Sequence, residues 1–553
     1  MQSATPYSLY LDAARRYSDR TALLYKSEGK FERIRHAELL KMVDTAAANL
    51  LNLGIHKGDT VGIFSTNRPE WAITDLAACK LGAVVVPVYP STPATALEFI
   101  LNDARIKMLV VENSELLQTA MTARLNMSSN LDLIVINSKG VDDAAVLQFE
   151  NALLTQGEAG EASYDVSSKD IASIVYTSGT SGTPKGVVLT HANIIANVQA
   201  VITRFRVTHR DVTVSYLPLC HMFERTCGYY SVLFCGGSVA YAESLDTVRE
   251  DVAAIRPTVL IAVPRVLEKA FEKSVNAVHR KSSVGQWLVA SCMRNLNHLS
   301  NLKYQNDSIP LSLRIKCFLL NGFVGSGFRH LAGGRLRLVA SGGAPLDKNI
   351  AKAFHILGFN IVEGYGLTET SPVVACNSPV NNKLGTVGKP LDGVQVKLGK
   401  DDEILVKGPN VMRGYLNNPE ATREVIDQDG WFHTGDQGVF DEEGYLKITG
   451  RIKDLIVTSY GKNISAAAIE SRINASPFIS QVLVVGDRKK YITALVVPDW
   501  TAVGHWAKGA GIKYDSILLL AEGDSVVDLI QTEVAEATKG SASYEKPKDF
   551  RII

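Results

Sequence analysis

Cysteines are few in this sequence, and no pattern pairs them. The seven are Cys79, Cys220, Cys227, Cys235, Cys292, Cys317 and Cys376. None forms a Cys-x-x-Cys pair, and none has the Cys/His spacing of a zinc site. An odd number of scattered thiols argues against a disulfide framework and fits a reducing compartment.

A net charge is also nearly absent. The chain has 58 Lys and Arg against 57 Asp and Glu, so we expect no nucleic-acid partner. Basic residues are concentrated in residues 265–335, which hold 11 Lys or Arg and three Asp or Glu. We interpret this segment as a long surface helical hairpin with solvated basic faces. Contact with an anionic membrane, or with the phosphates of a ligand, is the alternative.

No long apolar run is free of helix breakers. The longest uncharged stretch, residues 81–97, contains Pro87, Pro90 and Pro93, which argues against a membrane span. The first residues, Met1-Gln-Ser-Ala-Thr-Pro-Tyr7, lack the basic and then apolar order of a signal peptide. We therefore expect a cytoplasmic protein, with peripheral contact at the inner face of the membrane, through residues 265–335, as the alternative.

What the sequence does contain is an alternation of strand-like and helix-like segments. Apolar runs at residues 61–65, 83–88 and 108–111 predict buried strands. Amphipathic patterns at residues 37–53 and 71–81 predict helices. At 553 residues the chain is too long for a single hydrophobic core. The pattern therefore predicts an α/β fold with largely parallel sheets and at least two domains.

The predicted architecture is a large N-terminal domain of layered, largely parallel sheets with helices plus a small β-rich part, followed by a small α+β C-terminal domain. The large domain covers residues 1–450. Gly/Asp-rich turns at 392–450 predict short antiparallel strands. A charged junction at 451–454 marks the boundary, and residues 455–553 form the small domain. Within it we expect a helix near 466–475 and strands near 482–485 and 492–497.

The strongest chemical signal is the segment Tyr176-Thr-Ser-Gly-Thr-Ser-Gly-Thr-Pro-Lys185-Gly-Val-Val-Leu-Thr-His191. Apolar runs flank a loop of glycines and hydroxyl residues, so backbone N–H groups and hydroxyls can converge on an anion while Lys185 adds positive charge. This chemistry suits a polyphosphate. The common P-loop, with Gly-Lys-Ser/Thr after Gly and four residues, does not occur. A flexible Ser/Gly linker would not explain the flanking strands.

The segment resembles the phosphate-binding signature of the adenylate-forming (acyl-activating, AMP-binding) enzyme superfamily. Four further segments match the motifs of that superfamily in the expected order, and together they extend the resemblance over roughly the whole chain. They are Ser341-Gly-Gly-Ala-Pro-Leu346, Val362-Glu-Gly-Tyr-Gly-Leu-Thr-Glu-Thr370, His433-Thr-Gly-Asp436 and Gly450-Arg-Ile-Lys-Asp454.

The resemblance implies that ATP, Mg²⁺ and CoA are bound. The residues implied to hold the phosphates are Thr177, Ser178, Gly179, Thr180, Ser181, Gly182, Thr183 and Lys185. Those implied for the adenine end are Gly343, Ala344, Pro345, Glu363, Gly364, Tyr365, Gly366 and Thr368. Asp436 is implied to bind the ribose, and Arg451 the ribose or a phosphate. Lys453 is implied as the hinge, with Gly461 and Lys462 at a thiol-binding face. Thr180 and Glu369 are implied to bind the metal, since hard oxygens suit Mg²⁺. The catalytic set is Lys185, His221, Thr368, Glu369 and Arg451.

His221 lies in the segment Leu217-Pro-Leu-Cys-His-Met-Phe-Glu-Arg225, which resembles the border of the superfamily's carboxylate pocket. His221 is predicted either to contact the substrate carboxylate or gate its channel, or to be a satisfied structural histidine. Cys220 is not interpreted as a nucleophile, because no relay can be assigned and adenylation needs none.

Four features look most like the long-chain fatty acyl-CoA synthetases among the branches of the superfamily. They are Leu219-Cys-His-Met-Phe-Glu-Arg225, Gly364-Tyr-Gly-Leu-Thr-Glu-Thr-Ser-Pro372, the long insertion at 265–335 and Tyr544-Glu-Lys-Pro-Lys-Asp-Phe550. The resemblance implies that a fatty acid attacks ATP to give acyl-AMP and pyrophosphate, and that CoA then displaces AMP. A fatty acyl-AMP ligase, an aryl-CoA ligase and a catalytically silent nucleotide-binding homologue stay as alternatives. The sequence leaves the acyl chain length and the oligomeric state open.

The resemblance also implies a lysine near the end of the small domain that contacts the carboxylate and ATP. It is expected some way beyond a segment like Tyr544-Glu-Lys-Pro-Lys-Asp-Phe550, whereas the sequence stops at Ile553. The small domain is therefore expected to lack its end. We interpret Lys546 and Lys548 as surface charges and expect ATP binding with slow adenylation.

Overall fold

The structure is a computed structural model that describes most of the chain. The described residues are 5–127, 130–141, 143–155, 165–177, 184–244, 246–279, 291, 294–295, 310–313, 315, 329–330, 332–452, 455–457, 463–487, 489–512, 514, 520 and 523–553. They belong to two compact units. The first comprises Met1–Val396 and Val406–Phe432, and the second comprises Lys397–Leu405 and His433–Ile553.

The helices begin and end where local signals place them. Those of the first unit are Pro6–Arg16, His36–Asn52, Pro69–Leu81, Ala94–Asp103, Ser114–Arg124, His191–Phe205, Ser231–Leu233, Val248–Ile255, Pro264–His279, Lys348–Ile356 and Pro419–Val425. Those of the second unit are Ala466–Ile473, Trp500–Gly509 and Asp524–Ala537. Thr190 caps helix His191–Phe205, because its hydroxyl accepts the N–H of Asn193. Short helical turns cover Glu150–Leu154, Glu224–Tyr230, Thr368–Thr370, Lys400–Asp402 and Ser543–Glu545.

The strands are numbered in chain order. They are β1 (Thr21–Ser27), β2 (Lys30–Arg35), β3 (Thr60–Phe64), β4 (Val84–Val88), β5 (Met108–Val111), β6 (Asp132–Val135), β7 (Leu147–Gln148), β8 (Ile171–Thr177), β9 (Lys185–Thr190), β10 (Val212–Ser215), β11 (Ser238–Tyr241), β12 (Val259–Ala262), β13 (Leu338–Ser341), β14 (Ile361–Gly366), β15 (Val373–Cys376), β16 (Lys389–Pro390), β17 (Gln395–Leu398), β18 (Glu403–Lys407), β19 (Gly414–Tyr415), β20 (Phe432–Phe440), β21 (Leu446–Arg451), β22 (Leu455–Val457), β23 (Asn463–Ser465), β24 (Ile479–Val485), β25 (Thr493–Pro498) and β26 (Phe550–Ile552).

Two large sheets organise the first unit. One has nine strands in the order β16-β15-β14-β13-β12-β10-β11-β1-β2, and its centre, from β14 to β1, is parallel. The other has eight strands in the order β19-β9-β8-β4-β3-β5-β6-β7, with a parallel run from β8 to β7. The segments that follow β10, β13 and β14 begin at the carboxyl ends of these parallel strands, which is the edge where α/β sheets bind ligands.

Helix Pro69–Leu81 lies between these sheets. Nearly all of its residues are buried, and Asp75 on this helix pairs with Arg225, from the segment that follows β10. Arg225 in turn donates to the Ser173 hydroxyl on β8 at 2.8 Å. The helix is buried although it carries polar residues, and the ion pair with Arg225 compensates the buried charge of Asp75.

The second unit has its own core. Its sheets are the four-stranded β17-β18-β20-β21, the pair β22-β23 and the three-stranded β24-β25-β26. Strands β17, β18 and β20 begin or end in the first unit. Buried aliphatic residues such as Ile469, Ile473, Val496 and Ile530 pack together there. The antiparallel strands β20 and β21 agree with the turns predicted at 392–450.

The predicted fold class is confirmed: the chain is α/β, with large, mainly parallel sheets and a smaller C-terminal unit. The helices predicted at 37–53 and 71–81, and the strands at 61–65, 83–88 and 108–111, are present within one or two residues. The boundary at 451–454 stays a prediction. Among the described residues, the helices are too short or too polar to cross a membrane.

Candidate functional site

The predicted phosphate-binding segment is a β-hairpin whose strands are described and whose loop is not. Strands β8 and β9 pair antiparallel, and Thr177 lies opposite Lys185. Lys185 is therefore placed at the mouth of the loop, where it is half-buried. The loop residues themselves, Ser178, Gly179, Thr180, Ser181, Gly182 and Thr183, lie outside the described residues.

Tyr415 links Lys185 to Glu369. The phenol of Tyr415 donates to Oε1 of Glu369 at 2.9 Å. The Lys185 ammonium lies over the ring of the same tyrosine, 5.1 Å from its centroid. Beside them is a cavity of about 240 Å³ lined by Asp103, Lys185, Tyr415 and Asn417, among others. The structure thus brings the predicted phosphate lysine and the predicted metal carboxylate to one tyrosine.

Buried amides hold the turn that carries Glu369. Asn197, on helix His191–Phe205, donates to the Val373 carbonyl at 2.7 Å and accepts the Val373 N–H at 3.1 Å. Asn410 donates to the Thr370 carbonyl at 3.0 Å. These contacts satisfy backbone groups that a tight, buried turn would otherwise leave unpaired. The backbone of the turn that carries Glu369 is therefore held in place by the amide side chains of Asn197 and Asn410.

A second cavity, of about 50 Å³, gathers three of the predicted motifs. It is lined by His221 and Phe223 after β10, by Gly343 after β13, and by Tyr365 and Thr368 in and after β14. Residue 366 must be glycine, because the backbone at Pro372 lies so close that a Cβ at position 366 would be 1.8 Å from the Pro372 carbonyl oxygen. The predicted carboxylate-pocket and adenine segments are therefore adjacent in space.

Glu363 of the second predicted adenine segment lies close to the first. The backbone N–H groups of Gly385 and of Leu346, the last residue of the first segment, are near its carboxyl group. Burial raises its pKa to about 7, and the two backbone donors offset only part of this rise. Of the neighbouring predicted residues, Ala344 and Pro345 are exposed, so their surfaces are accessible to a ligand.

His221 and Cys220 differ in exposure. His221 is exposed, its Nδ1 accepts the Phe223 N–H at 3.4 Å, and Tyr89 lies edge-on to it at 6.5 Å between centroids. Both roles considered for His221, substrate contact and structural histidine, stay predictions. Cys220 is buried, and burial raises the pKa of its thiol to about 12. A thiol that is neutral at physiological pH is a poor nucleophile, which agrees with leaving Cys220 out of the chemistry.

The neighbouring Glu224 makes stability depend on pH. It is fully buried, and burial raises its pKa from 4.5 to about 8. Between those values the folded chain keeps a proton that the unfolded chain has lost, so the free energy of unfolding should fall as pH rises.

We expect Glu224→Gln, which cannot ionise, to remove this fall. In urea unfolding at pH 5 and pH 8, the variant should gain stability relative to the wild type at the higher pH. The exposed Glu32→Gln is the control. An unchanged pH slope in Glu224→Gln would contradict the assignment.

In the second unit, the two predicted ribose residues are paired. Arg451 Nε lies 2.6 Å from Oδ1 of Asp436, where β20 and β21 face each other. Glu403 braces the preceding turn, because one carboxylate oxygen contacts His433 Nδ1 at 2.9 Å and the other accepts the Gly435 N–H at 3.0 Å. Glu403 lies 30 residues from His433, so no local pattern predicts its role.

Several predicted residues lie outside the described residues. Besides the loop at 178–183, these are Lys453, Gly461 and Lys462, together with most of the basic segment 265–335. Their roles stay predictions. Conversely, the sequence analysis missed Tyr415, Asn197 and Asn410, which organise the site around Glu369.

The described residues fit a magnesium site only in part. No cluster of three or more His, Cys, Asp or Glu that could hold a metal occurs among them. Glu369 offers a half-buried carboxylate, of which Oε1 is hydrogen-bonded to Tyr415. Mg²⁺ is commonly held by one or two carboxylates together with substrate phosphates. One carboxylate held by the same tyrosine as the predicted phosphate-binding lysine fits that mode.

Two mainly parallel sheets, with Lys185 at one cavity and glycine-containing segments at another, are the arrangement of an α/β protein with a ligand site at the ends of its strands. The family model described as "AMP-binding enzyme" matches residues 11–416, and that of its C-terminal domain matches residues 453–513. The chain therefore belongs to the AMP-binding enzyme family.

The alignments with similar proteins cover most of the chain. Long-chain-fatty-acid–CoA ligase FadD15 of Mycobacterium bovis is 33% identical over 534 residues, 95% of this chain and 87% of the relative. Fatty acyl-CoA synthetase A of Dictyostelium discoideum is 32% identical over 504 residues, 86% and 73% of the two chains. Together with the family match, these relatives show that the chain is a ligase. The crystal structure of anthranilate CoA ligase AuaEII with anthranoyl-AMP has a TM-score of 0.77 at 19% identity, covering 100% and 94% of the two chains, and shows a shared fold.

Proposed function

We propose that this chain activates a fatty acid with ATP to form an acyl-adenylate and then transfers the acyl group to CoA. The observation that carries the ATP-dependent half is the placement of Lys185 and Glu369 on one tyrosine at the mouth of the predicted phosphate loop. The choice of a fatty acid is supported by the printed names of the relatives, which match 86% or more of the chain.

In the first step a carboxylate oxygen attacks the α-phosphorus of ATP, and pyrophosphate leaves. Lys185 neutralises charge on the polyphosphate, while Thr177–Thr183 supply backbone and hydroxyl donors. Mg²⁺, bound by Glu369 and Thr180, would supply further charge neutralisation. Tyr365 offers a ring face to the adenine. The protein's contribution is mainly alignment and charge stabilisation.

In the second step the CoA thiol attacks the acyl carbon, and AMP leaves. We assign the ribose to Asp436, oriented by Arg451, and the thiol to the face near Gly461 and Lys462. Lys453 is the proposed pivot between the two half-reactions. His221 borders the cavity that also receives Tyr365 and Thr368, so we assign it to the carboxylate end of the acid. The cytoplasmic location and peripheral membrane contact through residues 265–335 stay predictions.

A panel of acids tests the substrate class. Each buried CH₂ contributes about 0.8 kcal/mol, so kcat/KM should rise steeply with chain length until the channel ends. We expect C12–C18 acids to exceed acetate and benzoate by roughly 10³ or more in AMP release with CoA present. Methyl palmitate, which has the chain but no carboxylate, is the control and should give no AMP.

The same assay separates the alternatives. AMP release that does not need CoA would favour a fatty acyl-AMP ligase. A preference for benzoate would move the chain to the aryl-CoA ligases. Binding of ATP with no acid-dependent AMP release from any member of the panel would favour a silent nucleotide-binding protein and would contradict the proposal.

A further inference from the structure

Tyr415 contacts both charged residues of the proposed ATP site. Its phenol donates to Oε1 of Glu369 at 2.9 Å, and its ring lies under the Lys185 ammonium at 5.1 Å from the centroid. A hydrogen bond to an ionised acceptor is stronger than a neutral one. A ring face attracts an ammonium electrostatically. One side chain thus orients a carboxylate and an ammonium at the same time.

The backbone around Tyr415 reinforces this link. Gly414 and Tyr415 form β19, which pairs with Val188 and Val187 of the strand that begins at Lys185. The Leu416 N–H donates to the Gly186 carbonyl at 2.7 Å, and the Met412 N–H donates to the Glu369 carbonyl at 2.8 Å. Residues 412–416 therefore join the lysine strand directly to the Glu369 turn.

We propose that Tyr415 is a positioning residue for adenylation, whose phenol orients the Glu369 carboxylate toward the metal and whose ring orients the Lys185 ammonium toward the polyphosphate. This inference rests on the proposed function. Tyr415 acts through these two residues and is not assigned a contact with the reacting atoms.

Two substitutions separate the two contacts. Tyr415→Phe keeps the ring under Lys185 and removes the hydroxyl group that donates to Glu369, whereas Tyr415→Leu removes both the ring and the hydroxyl group. We expect Tyr415→Phe to raise the Mg²⁺ concentration needed for half-maximal adenylation by about tenfold, the effect of losing one hydrogen bond to a charged group. Tyr415→Leu should in addition weaken ATP binding in the absence of Mg²⁺ by a few-fold.

Calorimetric titration of ATP, with and without Mg²⁺, gives a readout independent of turnover. Tyr415→Phe should lose affinity only when Mg²⁺ is present, and its melting temperature should stay near that of the wild type. Tyr7→Phe is a matched control, because the Tyr7 phenol donates to Asp44 at 2.8 Å and Lys80 lies 5.4 Å from its ring centroid. That variant should leave the Mg²⁺ dependence unchanged.

Measurements in the Glu369→Gln background separate the positioning role of Tyr415 from the proposed function. There, Tyr415→Phe should add less than a twofold change, because the carboxylate it orients is already gone. Slow adenylation in Glu369→Gln with wild-type Mg²⁺ dependence in Tyr415→Phe would overturn the positioning role and leave the proposed function standing. Wild-type adenylation in Glu369→Gln and Lys185→Ala would remove both residues from the ATP site, and the positioning role with them. Absence of acid-dependent adenylation in the unsubstituted protein would instead overturn the proposed function.

Discussion

Lys185→Ala and Glu369→Gln are each expected to slow acyl-adenylate formation by about 10²-fold or more, the scale of losing one preorganised charge at a reacting centre. Both side chains are half-buried. The backbone of the Glu369 turn is held by Asn197 and Asn410. Neither side chain is therefore needed to fold the site, and the melting temperatures should stay nearly unchanged. Single-turnover adenylation and thermal unfolding measure the two quantities.

Exposed residues of the same types provide the controls. Lys41→Ala and Glu32→Gln change the same charges on the surface of the first unit, so they should leave the adenylation rate unaltered. Wild-type rates in Lys185→Ala or Glu369→Gln would remove these residues from the ATP site. Unfolding of either variant would show that its role is structural.

The buried ion pair of Arg225 and Asp75 should have the largest effect on stability. Both side chains are fully buried and in direct contact. Arg225 also donates to the hydroxyl groups of Ser173 at 2.8 Å and Tyr230 at 3.1 Å, and Tyr230 donates to Asp75 at 2.7 Å. Removing one partner leaves a buried charge without compensation.

We expect Arg225→Met to lower the free energy of unfolding of the first unit by about 3–5 kcal/mol, measured by urea denaturation. The double variant Arg225→Met/Asp75→Leu should lose less than the single variant, because it leaves no isolated charge. Arg249→Met, at an exposed arginine, is the control. A loss below about 1 kcal/mol in Arg225→Met, typical of surface pairs, would show that the network adds little.

The same network affects the site. Arg225 is the second residue of the helical turn Glu224–Tyr230, and Phe223 and Cys227, on either side of it in the sequence, line the cavity with Tyr365. A chain that loses Arg225 should therefore also lose order at that cavity.

Local patterns in the sequence predicted the elements that depend on neighbouring residues. The hairpin around Lys185 followed from two apolar runs flanking a glycine-rich loop. The parallel sheets followed from buried valine-rich strands such as β4, whose residues are all buried. In such cases the pattern of apolar residues and the turn residues lie within about a dozen positions of each other, so the local sequence is enough to predict the element.

The residues that the sequence analysis missed act over long distances. Tyr415 lies on a strand of two residues, too short for any periodic signal, and pairs with β9 more than 200 positions earlier. Asn197 fixes Val373, 176 positions later. The sequence around Tyr415, Arg413-Gly-Tyr-Leu-Asn-Asn-Pro419, indicates only a turn. Such contacts depend on the tertiary arrangement of the strands, which no local pattern contains.

The most direct test of the account is the exchange of labelled pyrophosphate into ATP in the absence of CoA. This exchange reports reversible attack of a carboxylate on the α-phosphorus and nothing later in the reaction. The account predicts exchange that requires a long-chain fatty acid and that falls by about 10²-fold or more in Lys185→Ala and Glu369→Gln. Exchange that is independent of added acid, or no exchange by a protein that binds both ATP and the acid, would contradict it.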